Sequence, residues 1–293
     1  MTHPAALLIL DILIVSAAAC SSGPPPSVRE YPLTGQILSI KADRTEVTIR
    51  HDDVPGFMAA MTMPFAIKEP KLLEGLQPGD LVRATLVITD EESYLSTVEK
   101  TGHAPLTRRG AAEPSPVVAD LLMAGEPVPD LALTCDDGAT RRVRGYRGSL
   151  LLITFIYTRC PLPEFCPRMD AYFSQVQASI KRQPALRKSV RLLSISFDPD
   201  FDTPQVLKTH AARVGADPAV WHYGTAPRAE VGAFGAHFGL SVLREGEDGS
   251  NISHNLRTVL VGRDGTLAKT YNGSRWSPAE VVADLEGLVG RQG

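Results

Sequence analysis

The segment Leu150-Leu151-Leu152-Ile153-Thr154-Phe155-Ile156-Tyr157 constrains this chain more than any other, because it has no polar side to turn toward water. A short strand of this kind has to be covered on both faces, and helices laid over a sheet are what provide two covers. The following residues agree. Met169, Phe173, Val176 and Ile180 recur at helical spacing, and Val190–Phe197 reads as a second buried strand. Thr203-Pro204 opens another helix, with Thr203 as N-cap and Pro204 at the first helical position. Arg257–Gly262 and Leu267–Tyr271 flank Asp264-Gly265, a hairpin signal, and Ser277-Pro278-Ala279-Glu280 reads as a capping box that starts a last helix.

A β-α-β-α unit followed by a hairpin and a helix is the thioredoxin-like arrangement, expected here over residues 119–293. Residues 31–103 follow a different rule. Tyr31–Ile40, Glu46–His51, Asp80–Thr89 and Tyr94–Lys100 are β-rich, with turn signals such as Gln77-Pro78-Gly79-Asp80 between them. A small closed all-β barrel, OB-like, hides the edges of such strands. Residues 104–118, with Pro105 and Pro114-Ser115-Pro116, form the linker.

Ahead of the barrel, Ala5 to Ala19 is mostly apolar and ends in Ala17-Ala18-Ala19-Cys20. That pattern is expected of a lipoprotein signal over residues 1–20, with Cys20 as the lipidated residue and residues 21–30 as a tether. The mature protein would then sit in the periplasm or cell envelope, on a membrane, where thiols can oxidise. The net charge of -3 gives no electrostatic reason for a nucleic-acid partner.

Two clusters carry the chemistry. Only six methionines occur in 293 residues, and Met58, Met61 and Met63 share one window just after His51. Met61 and Met63 alternate, so they point to one face of a strand. Thioether sulfur suits Cu(I), although three methionines can also be core filler. The second cluster is Thr158-Arg159-Cys160-Pro161-Leu162-Pro163-Glu164-Phe165-Cys166-Pro167, where a buried strand runs into a helix. Unpaired helix N–H groups and the helix dipole stabilise thiolate there, the form that binds metal or attacks disulfides. Cysteines six apart cannot share a helix face, so Cys160 belongs to the loop and Cys166 to the first helical turn. Cys135, beside Asp136-Asp137-Gly138, reads as structural or incidental. Asp198 and Asp202 read as outer-sphere orienting groups or as turn and cap residues.

The His51 and Met61-Thr62-Met63 pattern resembles the CusF-type periplasmic copper-binding domains, with Met58 standing where the type member has tryptophan. The dithiol, Phe197-Asp198-Pro199, Asp202-Thr203-Pro204 and Ser253-His254-Asn255 resemble the Sco/SenC copper chaperones. These resemblances imply copper ligands His51, Met58, Met61 and Met63 in the barrel, and Cys160, Cys166 and His254 in the second domain. Cu(I) is the implied cargo, and the second set can also hold Cu(II). The spacing departs from the Sco pattern, with five residues between the cysteines instead of three. The implied role is copper delivery to a membrane-bound oxidase subunit or another copper acceptor. Two alternatives remain open: a thiol–disulfide oxidoreductase in which Cys160 and Cys166 are catalytic, and copper sequestration for resistance.

Overall fold

The computed structural model describes residues 28–58, 60–106, 121–245 and 251–290. The leader, most of the tether, Cys20 and most of the linker lie outside the described residues.

The first domain contains β1 (Arg29–Ile40), β2 (Glu46–His51), β3 (Met61–Ala66), β4 (Asp80–Ile88) and β5 (Ser93–His103). They form one antiparallel sheet in the order β3-β2-β1-β4-β5. β1 pairs with both β2 and β4, and a bulge between Ile37 and Ser39 bends it to serve both. A bridge from Ile67, just past β3, to Leu95 of β5 brings the outer strands together, so the sheet closes as expected. Leu33, Ile37, Val47, Ile49, Phe65 and Leu86 fill the interior. Gly35 lies opposite His51 across the β1–β2 pair, and an added Cβ there would sit 2.6 Å from the Arg50 carbonyl oxygen. Only glycine lets the two backbones meet this closely where His51 is set.

The second domain is the expected thioredoxin-like α/β unit. After β6 (Ala132–Cys135) and β7 (Thr140–Arg142) come β8 (Leu150–Ile156), α1 (Cys166–Arg182), α2 (Pro184–Ser189) and β9 (Val190–Ser196). Next are α3 (Pro204–Val214), β10 (Trp221–Thr225), α4 (Arg228–Ala236), β11 (Val242–Glu245) and β12 (Asn251–His254). β13 (Arg257–Val261), β14 (Leu267–Asn272) and α5 (Pro278–Gly290) complete it. The main sheet runs β14-β13-β8-β9-β10-β6-β7, with β8, β9 and β10 parallel.

β8 is the strand covered on both faces: every residue from Leu150 to Ile156 is buried. Phe155 packs on Phe234 and Phe238 at α4. The neighbouring Thr154 faces the other way, toward Thr258, whose hydroxyl also meets the Met169 sulfur of α1. α1 buries Met169, Phe173, Val176 and Ile180, the four positions read from its periodicity. Both caps form: Thr203 Oγ1 accepts from Val206 N–H, and Ser277 Oγ accepts from Glu280 N–H. Among the described residues no helix is long and apolar enough to cross a membrane.

β11 and β12 stand apart from the main sheet as a two-stranded ribbon, with Val242 paired to His254. β12 packs against β3 of the barrel, so the two domains meet along the strands that carry His254 and the methionines.

Gly35→Val should destabilise the barrel by about 1–3 kcal/mol, the usual range for overpacking. The loss should be read as a lower urea midpoint at unchanged slope.

Candidate metal centre

The end of β8 is an exit from the core, and its backbone polar groups need partners. Asp202 supplies them. Its carboxylate accepts from Thr158 N–H at 3.0 Å, from the Thr158 hydroxyl, and from Ser196 Oγ at 2.5 Å. Burial raises the Asp202 pKa, against these hydrogen bonds. Asp198 holds the next residue: it pairs with Arg159 at 2.8 Å and with Arg244 at 3.2 Å. Of the two readings of these aspartates, orienting groups or turn chemistry, the geometry joins both. Asp202 closes its own turn onto Asp198 O and at the same time clamps the loop that carries Cys160.

Cys160 lies in that loop and Cys166 opens α1, as their separation requires. His254, at the end of β12, faces them. One ligand atom from each of Cys160, Cys166 and His254 lies within 4.8 Å of the others, and the thiols are free. His254 Nδ1 is 3.0 Å from the Asn255 carbonyl oxygen, which can only accept, so Nδ1 carries a proton and Nε2 faces the sulfurs, where it can donate to the Cys160 thiolate or, without a proton, offer its lone pair to a metal. Nε2 stands 3.9 Å from Cys166 Sγ. The ring is packed edge-on by Tyr157 and Phe165 and tilted against Phe197, which fixes its plane and limits water.

Burial opposes ionisation at both sulfurs. At Cys160, hydrogen bonds from Cys166 and His254 outweigh it and hold the thiol well below its ordinary range. At Cys166, burial and the neighbouring Cys160 sulfur push the thiol well above it. The pair therefore loses its first proton easily, from Cys160, and its second reluctantly, a poise suited to soft-metal binding or to thiol exchange.

The barrel repeats the histidine device. His51 is buried, and its Nδ1 is 2.7 Å from the Asp52 carbonyl oxygen. Its Nε2 is buried and has no hydrogen-bond partner. A buried orphan nitrogen is costly unless something binds it. Burial also lowers the His51 pKa, which keeps the ring neutral and its lone pair free. Met61 is its partner across the β2–β3 pair, and Met63 follows on the same face. Met58 is buried beside them, in a turn bridged to Val54. The chemistry of both donor sets, two thiols with an imidazole and three thioethers with an imidazole, fits Cu(I).

The two sets are not remote. Met58, Met61 and Met63 line the same cavity of about 30 Å³ as Cys160, Phe165 and His254. Sequence reasoning missed this junction. The signal was present in the long Cys160–Cys166 segment, whose Leu162 is buried in the barrel core. Outside these two sets, Cys135 is buried in β6, as a structural thiol would be, and His210 is tied to Asp170 at 2.7 Å. His222 pairs with Asp136 and His103 with Asp80.

Residues 124–290 match the SCO1/SenC family model, and residues 30–100 match that of the copper binding periplasmic protein CusF. The SCO1 protein homolog of Bacillus subtilis (strain 168) is 28% identical over 152 residues, covering 51% of this chain and 76% of the relative. The copper-bound structure of ScoI from Bradyrhizobium japonicum is 25% identical, with a TM-score of 0.47, over 56% of this chain and 99% of that one. BsSco, described as a member of the Sco family of cytochrome c oxidase assembly proteins, is 26% identical, with a TM-score of 0.49, over 58% and 97%.

In the reduced, metal-free protein, iodoacetamide alkylation of Cys160 should rise with pH around a midpoint below the ordinary thiol value of about 8.5. His254→Ala and Cys166→Ala should each move that midpoint upward, because each removes a group that favours the Cys160 thiolate. Mass spectrometry of the alkylated peptide gives the profile. A midpoint unmoved by both changes would mean that neither group governs Cys160.

Proposed function

This chain belongs to the SCO1/SenC family, and on that premise we propose that it is an extracytoplasmic copper chaperone that takes up Cu(I) and delivers it for assembly of a respiratory oxidase copper centre. The observation that carries this reading is the convergence of Cys160, Cys166 and His254 within 4.8 Å, with His254 Nε2 facing the sulfurs. Disulfide exchange needs the two cysteines and no imidazole on a separate ribbon. The oxidase client is proposed from the description of BsSco, and the periplasmic setting from the CusF match over residues 30–100. In this reading residues 31–103 are a copper-binding barrel and residues 119–293 the delivery domain.

The chain's own residues set up the exchange. Asp202 and Asp198 hold the Cys160 loop in place before any ion arrives. The rings of Tyr157, Phe165 and Phe197 keep His254 in one orientation. Copper supplies the Lewis-acid centre that a client's ligands can attack. Cys166, the sulfur that ionises reluctantly, can take back a proton as the ion leaves. The proposed anchor is a lipid on Cys20, which would hold the protein beside a membrane-bound client and raise its effective concentration.

The rival reading, reduction of client cysteines, uses the same dithiol. His254→Ala separates the two. Loss of a group that merely orients a metal ligand costs roughly 10–100-fold in affinity, so loss of the ligand itself should cost at least that. Competition with a Cu(I) chelator should show the drop, while dithiol–disulfide interconversion persists. Undiminished copper affinity combined with failed client reduction would replace the chaperone with an oxidoreductase. For the anchor, mass spectrometry of the mature N-terminus should find a diacylated Cys20; an intact Met1 on a cytosolic product would rule it out.

A further inference from the structure

The segment between the two cysteines is longer than the Sco pattern has it, and its extra residues are occupied. Leu162 is only 4% exposed and forms part of the core of the barrel, among Met58, Met63 and Phe65. Cys160 and Phe165 pack against both hydrophobic cores at once. Ser93, at the start of β5, donates from Oγ to the Glu164 carboxylate. Arg168, on the first turn of α1, donates to the Glu91 carbonyl oxygen. On the other side β12 lies along β3. The barrel is thus gripped from two directions, by the cysteine loop and by the ribbon that carries His254. The partly open cavity between them is lined by Met58, Met61 and Met63 from the barrel and by Cys160 and His254 from the second domain, and Cys166 lies just outside the lining, within 4.8 Å of those two. Its volume of about 30 Å³ exceeds the roughly 10–15 Å³ needed for one water molecule, so it can admit one small ion.

We propose that this cavity is a hand-over chamber, in which Cu(I) held by the barrel methionines passes to Cys160, Cys166 and His254 without leaving the protein, and that the lengthened cysteine loop is the device that docks the two sites together. The proposal rests on the copper reading above and adds a route to it. The direction follows from donor strength. Thioethers are neutral, weak donors, whereas thiolates are anionic and soft, so the ion moves toward the cysteines. In the step, Cu(I) leaves its bonds to the thioethers and to His51 Nε2 and gains bonds to the two cysteine sulfurs and to His254 Nε2. Any thiol proton still present goes to water, and no electron changes hands.

The test is stopped-flow loading of the full, reduced chain from a chelated Cu(I) donor, followed by the thiolate-to-Cu(I) charge-transfer absorption. The Met61→Leu and Met63→Leu double variant conserves volume while removing two thioethers. Leu162→Ala keeps every proposed ligand, loosens the docked loop and enlarges the cavity that Leu162 itself lines. Each should slow the appearance of the band by about tenfold or more, since each removes the effective-concentration advantage of a docked donor. Adding an equal amount of chain carrying Cys160→Ser and Cys166→Ser, an external barrel, should not restore the rate of the double variant. Unchanged loading rates in both variants, or full restoration by the external barrel, would overturn the hand-over while leaving the copper chaperone standing. A parent chain with no thiolate–copper band at all would overturn the chaperone reading first, and the hand-over with it.

Discussion

Everything at the metal centre depends on where a fully buried strand is allowed to end. β8 has both faces covered from Leu150 to Ile156. When the chain leaves the core it carries backbone groups that no sheet neighbour satisfies, and leaving them unpaired would cost about 1–3 kcal/mol each. Asp202 resolves this by accepting from both the amide and the hydroxyl of Thr158. The same contact fixes the direction in which Cys160 is presented. A carboxylate that is uncomfortable for being buried, with its pKa raised, is retained because it sets that loop.

The two histidines show one solution used twice. Each places Nδ1 against the carbonyl of the next residue, Asp52 for His51 and Asn255 for His254. Since a carbonyl only accepts, the tautomer is decided locally and Nε2 is left as a donor atom for a metal. The surroundings then differ. His51 sits in a dry barrel wall opposite Met61, where burial keeps it neutral. His254 stands half-buried at the end of a ribbon that packs on the barrel, and Tyr157, Phe165 and Phe197 hold its ring. The first arrangement suits retention by neutral soft donors, and the second suits exchange with an incoming partner.

Contact between the domains combines Leu162 in the barrel core, Cys160 and Phe165 against both cores, β12 along β3, a Ser93 hydroxyl on the Glu164 carboxylate and Arg168 on the Glu91 carbonyl. Glu164 is held back from ionising by burial at this seam.

The sequence by itself determined most of the elements and the kinds of soft donor side chain present, because both are local. The apolar run of β8, the helical spacing of Met169, Phe173, Val176 and Ile180, and the caps at Thr203 and Ser277 are properties of neighbouring residues, and each is found as read. The placement of Cys160 in a loop and Cys166 at a helix start follows from 3.6-residue periodicity alone. The ribbon β11–β12 was not legible: it is short, and the pairing of Val242 with His254 spans residues that share no local pattern. Nor was the purpose of Pro161-Leu162-Pro163-Glu164, which looks like a stiff loop until the barrel is set beside it. Only the tertiary structure decided that a leucine between two cysteines belongs to the other domain's core. Burial is a property of what lies across the gap, and no spacing along the chain encodes it.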